Sequence, residues 1–130
     1  MKCEPLAALG AKIAVKEGYV YATVAGGRFK GVRNSAVWHK DPAARGSSVT
    51  APPDLMQRPS FTAGLKVLSS MGLSFDAWVY YPQFPELADL AHAFPDTTIV
   101  LDHMGGPLGI GPYAGRREEV FAAWRSSIVT

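Results

Sequence analysis

The chain predicts an α/β fold in which parallel strands alternate with helices, and three observations carry that expectation. Ile99-Val100-Leu101 is an unbroken apolar run closed off by turn residues, the pattern of a strand buried on both faces of a parallel sheet. Phe75 to Tyr81 (Phe-Asp-Ala-Trp-Val-Tyr-Tyr) is aromatic and β-branched, as strands are. Between and before these runs lie stretches with apolar residues at helical spacing. Strand, helix, strand, helix in that order argues for right-handed βαβ units. A small doubly wound sheet and a piece of a (β/α) barrel fit the pattern equally well.

Taken in order, Leu6, Leu9 and Ile13 recur at helical spacing, with Gly18 as the stop. Tyr19 to Ala25 suits a strand that Gly26-Gly27 breaks, and Phe29 to Val32 suits a second short strand ending near Arg33. His39 to Arg58 is rich in Pro, Gly, Ser and Ala with little periodicity, and a loop of that length is usually functional or disordered. Pro59 then opens a helix with Phe61, Leu65 and Leu68 on one stripe, closed by Gly72. After the Phe75 strand, Pro85 opens a helix carrying Leu87, Leu90, Ala91 and Phe94. The Ile99 strand follows, then a glycine-rich loop to Pro112, then a helix with Val120, Phe121, Trp124 and Ile128. In this topology the loops after Arg33, Tyr81 and Asp102 leave the sheet on one side, and the helices cover its outer surface.

Composition narrows the classes. With 130 residues, 48% hydrophobic and 18% charged, the chain is an ordinary globular mix with room for one domain. A complete eight-stranded barrel needs roughly 250 residues. The net charge is +2 and no Lys/Arg run occurs, which disfavours nucleic acid as a partner and leaves a small-molecule substrate. Cys3 is the only cysteine, so neither an internal disulfide nor a cysteine-cluster zinc site forms. No apolar stretch approaches the roughly 20 residues of a membrane span. The N-terminus lacks the apolar core of a secretory signal, so the expected location is cytoplasmic.

The chemistry concentrates in Asp102-His103-Met104-Gly105-Gly106-Pro107, where an apolar strand opens into a loop. Carboxyl ends of strands in α/β folds are where ligands bind. An imidazole there can hold a metal, shuttle a proton or polarise a carbonyl, or it can simply brace the loop. Asp102 either orients the His103 ring or caps the loop. Neighbouring strand residues face opposite ways, so the two side chains meet only if the chain turns. Arg33, Trp38, Tyr81 and Gln83 stand at or past other strand ends, where hydrogen bonding to substrate and a structural role weigh about equally. His92 reads as solvated helix surface.

Several of these segments, in order, resemble the amidohydrolase-related TIM-barrel hydrolases, in particular a branch with sugar and dicarboxylate lactonases. The resemblance rests on Phe29-Lys30-Gly31-Val32-Arg33-Asn34, on Phe75 through Leu87, on Ala93-Phe94-Pro95-Asp96, on Ile99 through Pro107, and on Gly111 through Trp124. It spans roughly residues 28 to 128; residues 1–27 stand apart as a poorly matched N-terminal segment, leaving 28–130 as the central portion of a barrel domain. It implies a partial (β/α)8 TIM barrel. It also implies that His103 is a metal ligand, for a divalent ion such as zinc, or a group that polarises the substrate, and that Arg33 pairs with a substrate carboxylate. The family's first-strand His-x-His is missing, since the histidines are His39, His92 and His103, and no final-strand aspartate follows Trp124. Tyr81 stands before Pro82 where many relatives have histidine.

The resulting expectation is a fragment of a hydrolase acting on a small carboxylated or sugar-derived lactone. His103 and Asp102 serve catalysis, Arg33, Tyr81, Gln83 and Trp38 serve binding, and the piece alone has negligible turnover. A metal-dependent decarboxylase on the same scaffold and a non-catalytic globular fragment are the rival classes.

Overall fold

The computed structural model of the chain describes residues 11–16, 19–24, 30–46 and 51–128. The chain divides into two compact units, Met1–Gly31 and Val32–Thr130.

In the first unit, β1 (Ala11–Lys16) and β2 (Tyr19–Val24) pair antiparallel, from Ala11 opposite Val24 to Lys16 opposite Tyr19. This corrects the helix expected around Ile13. Ile13 and Val15 alternate with Lys12, Ala14 and Lys16, and a period of two with β-branched residues favours a strand once a partner strand lies adjacent. Cys3, Leu6, Leu9, Gly18, Ala25, Gly26, Gly27 and Phe29 lie outside the described residues.

The second unit is built on a three-stranded sheet in the order β3 (Gly31–Ser35), β4 (Ser74–Trp78) and β5 (Ile99–Leu101). β4 and β5 run parallel, with Phe75 opposite Ile99, Asp76 opposite Val100 and Ala77 opposite Leu101. Three helices accompany the strands: α1 (Pro59–Ser70), α2 (Phe84–Ala93) and α3 (Arg117–Ile128). α1 and α2 each carry a proline at the start, where the missing N–H costs nothing. α1 stops where Gly72 turns left-handed (φ +65°) and the Leu73 N–H reaches back to the Leu68 carbonyl.

Alternation along β4 decides which face is core. Phe75, Ala77 and Val79 are buried and pack with Leu65 of α1 and Phe84, Leu87 and Leu90 of α2. Phe61 meets the Phe75 ring edge-on, with centroids 5.6 Å apart. Removing a core side chain such as Leu65, 3% exposed, costs about 2–5 kcal/mol. Asp76 and Trp78 point to the other face and are only half-buried. Val100, on β5 opposite Asp76, is 42% exposed, which corrects the expectation of a strand buried on both sides. Helices cover one face of this sheet, and no described layer covers the other.

Two strands begin or end elsewhere than expected. β4 stops at Trp78 rather than Tyr81, because Pro82 cannot donate to a ladder and Tyr81–Gln83 winds into a tight 3-10 turn. Arg33 is the third of five residues in β3 rather than its terminus.

Residues 39–46 and 51–58 are also more ordered than their composition suggests. Pro42–Ala44 and Leu55–Gln57 form 3-10 turns, and His39, Ala44, Ala51 and Met56 are buried. Gln83 of the β4–α2 connection and Glu86 in the first turn of α2 fasten these residues and the ones just before them. Glu86 accepts the Met56 N–H at 3.0 Å. The Gln83 amide accepts the N–H groups of Trp38 (3.0 Å) and Tyr80 (3.2 Å) and donates to the Ala36 carbonyl (2.9 Å). A single side chain therefore clamps the exit of β3 onto the turn after β4.

Candidate functional site at the strand ends

Where β5 ends, the backbone reverses instead of continuing. Asp102 starts a short 3-10 turn, and His103 and Met104 then adopt left-handed conformations (φ +49° and +56°). Such a conformation costs a residue with a Cβ about 1–2 kcal/mol. The next two positions are glycines that also have positive φ, and both are closed to a side chain. A Cβ on Gly105 would overlap the Phe84 ring, and one on Gly106 would come within 3.0 Å of Tyr80 and Trp78. The loop is held from outside as well, because the Trp124 indole N–H of α3 donates to the Met104 carbonyl at 2.5 Å.

This reversal brings together three residues that are distant in sequence. Arg33 Nε donates to Asp102 Oδ2 at 2.5 Å, and Arg33 Nη2 donates to His103 Nε2 at 3.2 Å. Asp102 and His103 thus both meet the guanidinium rather than each other. An arginine cannot accept, so the His103 ring presents its Nε2 lone pair to Arg33 and carries its proton on Nδ1. Trp78 packs against His103 edge-on, with centroids 4.7 Å apart, and fixes the ring plane from the other side.

The charges reinforce each other. The hydrogen bond from Arg33 holds the Asp102 carboxyl below its ordinary value, with the positive guanidinium adding to the effect. The same hydrogen bond, with the charges of Asp102 and Asp76, raises the Arg33 guanidinium further above its usual range. At neutral pH the cluster is an intact ion pair beside an imidazole, on the sheet face that the helices leave uncovered. Arg33 remains half-exposed, whereas the Asp102 side chain is only 14% exposed.

The remaining expected site residues form a separate group around the turn after β4. The Gln83 amide makes the three backbone bonds described above, and Trp38 supplies one of them through its N–H. Burial, then the neighbouring Tyr113, raises the Tyr81 phenol above its usual pKa, so it stays a hydroxyl donor at neutral pH. Tyr113 also hydrogen-bonds His39 Nε2 at 3.0 Å, while the Asp41 N–H donates to His39 Nδ1 at 3.0 Å. His92 lies exposed on α2, as expected.

Two members of the site were missed by sequence reasoning: Trp78, against His103, and Asp76, whose charge acts on Arg33. Their signal was present in the alternation of β4. Once Phe75 and Ala77 face the helices, Asp76 and Trp78 must face the other way.

A metal does not fit these residues as they stand. Among the described residues no group of three or more His, Cys, Asp or Glu side chains is placed to hold one. His103 Nε2 faces the Arg33 guanidinium, which leaves only Nδ1 to a cation in this arrangement. The reading of His103 as a zinc ligand therefore finds no support in this geometry.

Comparison with known proteins places these features in context. The family model described as amidohydrolase matches residues 21–128. The uncharacterized protein y4mH of Sinorhizobium fredii (strain NBRC 101917 / NGR234) is 34% identical over 102 residues, covering 78% of this chain and 31% of that relative. The chain thus spans about a third of that relative's length. No solved structure matches the chain. Among the described residues no helix is long and apolar enough to cross a membrane.

Proposed function

Because the chain belongs to the amidohydrolase family, we propose that it forms the central part of a (β/α)8 barrel hydrolase that opens a small carboxylated lactone. The observation that carries this reading is the meeting of Arg33, Asp102 and His103 on the uncovered face of the sheet, where strands end. Of the five guanidinium N–H donors, Asp102 and His103 take two, and three remain to grip a substrate carboxylate in a planar fork. Asp102 fixes the orientation of that fork. His103, held by Arg33 and Trp78, directs its Nδ1–H toward the lactone carbonyl and stabilises the negative charge that develops as water attacks. An aspartate from outside this chain removes a proton from that water. The ring C–O bond then breaks, the aspartate returns its proton to the leaving ring oxygen, and the product leaves as a hydroxy acid.

Turnover of a panel of small lactones and matched open-chain carboxylates tests the proposal, using the protein at its natural length. His103→Ala should reduce kcat for lactones by about 10²-fold or more, as the loss of an oxyanion donor does. Arg33→Lys should act mainly on KM. Release of CO2 from the carboxylates with the lactones untouched would replace the reading by decarboxylation. Lactone hydrolysis by the 130-residue chain alone, abolished in His103→Ala, would overturn the assignment of the base to another segment.

A further inference from the structure

Next to the His103 ring lies a hollow that the proposed chemistry does not use. It is lined by Ala44 and Gly46 from the loop after β3, Trp78 and Tyr80 from the end of β4, and Gly106 to Ile110 from the loop after β5. Connections after all three strands of the sheet therefore converge on it, which is where α/β folds place ligands. Trp78 is the shared wall, since its ring borders both this hollow and His103. A second groove, between Val32 and Phe61, lies on the helix-covered face near α1 and does not touch Arg33 or His103.

The lining chemistry is specific. It consists of two aromatic rings, glycine backbone, Pro107, Leu108 and Ile110. The Tyr80 hydroxyl is already engaged, accepting the Gly46 N–H at 3.0 Å. A polyhydroxylated sugar would lose hydrogen bonds to water here and regain few of them. A flat apolar ring would lie against the half-buried Trp78 ring and the apolar side chains of Pro107, Leu108 and Ile110, with Tyr80 packed behind Trp78.

We infer that this hollow is the specificity subsite of the proposed hydrolase and takes an apolar ring substituent, so that the substrate is a ring-substituted carboxylated lactone rather than a sugar lactone. This rests on the hydrolase reading for its catalytic meaning, but its binding content stands apart. Gly109 offers a clean probe: a Cβ there meets nothing within 4 Å, and Gly109 is not among the glycines with positive φ. Gly109 borders the hollow, so Gly109→Leu places a bulky apolar side chain at its edge without straining the backbone.

Two measurements test the inference. In the chain itself, NMR titration compares 4-phenylbutanoate with acetate. The aryl carboxylate should shift the Trp78 indole and the Gly106 and Gly109 amides, and Gly109→Leu should weaken its binding by about tenfold or more. Acetate should bind wild type and Gly109→Leu alike. In the natural-length protein, Gly109→Leu should raise KM for a phenyl-substituted lactone by a similar factor while changing an unsubstituted one less than about twofold. Aryl binding without lactone turnover sinks the hydrolase reading and leaves the subsite standing. Turnover with a preference for sugar lactones, or aryl binding indifferent to Gly109→Leu, overturns the subsite.

Discussion

Replacing Gln83 should show that the rim of this sheet is held by one amide. Its oxygen accepts two backbone N–H groups, from Trp38 and Tyr80, and its nitrogen serves the Ala36 carbonyl. Ala36 is fully buried and Tyr80 is 4% exposed, so water reaches these groups poorly. Each buried polar group left without a partner costs about 1–3 kcal/mol. Gln83→Leu strands all three while nearly keeping the volume, which predicts a loss of about 3–9 kcal/mol. Gln83→Ala leaves room for water to enter and should lose less, about 2–4 kcal/mol. Urea unfolding of the chain at neutral pH, compared at constant m-value, reads the series directly. A Gln83→Leu variant within about 0.5 kcal/mol of wild type, or a series in a different order, would refute the clamp.

Other substitutions test other parts of the argument. Gly105→Ala combines left-handed strain with an overlap on Phe84, for about 2–4 kcal/mol of destabilisation; if Phe84→Leu in the same chain restores none of it, the overlap is not the cause. Asp102 has a depressed pKa in the folded state, so its contribution is present above the ordinary carboxylate range and vanishes as pH falls through the folded value. Melting curves of Asp102→Asn should therefore lie below wild type at pH 7 and converge with it below about pH 4. Glu86 behaves oppositely: burial raises its pKa, so the folded state holds the proton more tightly and stability is lost as pH rises through the folded value. The melting temperature of Glu86→Gln relative to wild type should climb with pH above the ordinary glutamate range, and a flat difference would contradict the burial argument.

The second unit was legible where residues speak through period and punctuation. Pro59, Pro85 and Gly72 marked helix ends correctly, and the stripes Phe61-Leu65 and Leu87-Leu90 pack on β4 as their spacing implied. The Asp102-His103 turn and the nearness of Arg33 to His103 followed from strand-end reasoning. What the sequence did not reveal depends on partners. Ile13 fits a helix stripe and a strand alternation equally well, and pairing with β2 decides the matter. The order in residues 39–46 and 51–58 comes from Glu86 and Tyr113, which are remote in the chain. That His103 would face a guanidinium required the left-handed pair at 103 and 104, for which neither residue type gives a sign.

The indole–carbonyl bond between Trp124 and Met104 reaches beyond its own stability. It fastens the last helix to the hairpin bend that aims the imidazole. Fraying of that helix is thereby transmitted to the His103 ring, and Trp124→Phe, which keeps the aromatic bulk but deletes the N–H, should misalign the ring while leaving α3 in place. Strain applied at the far end of α3 would therefore reach the His103 loop from a distance, without touching the Arg33–Asp102–His103 cluster directly.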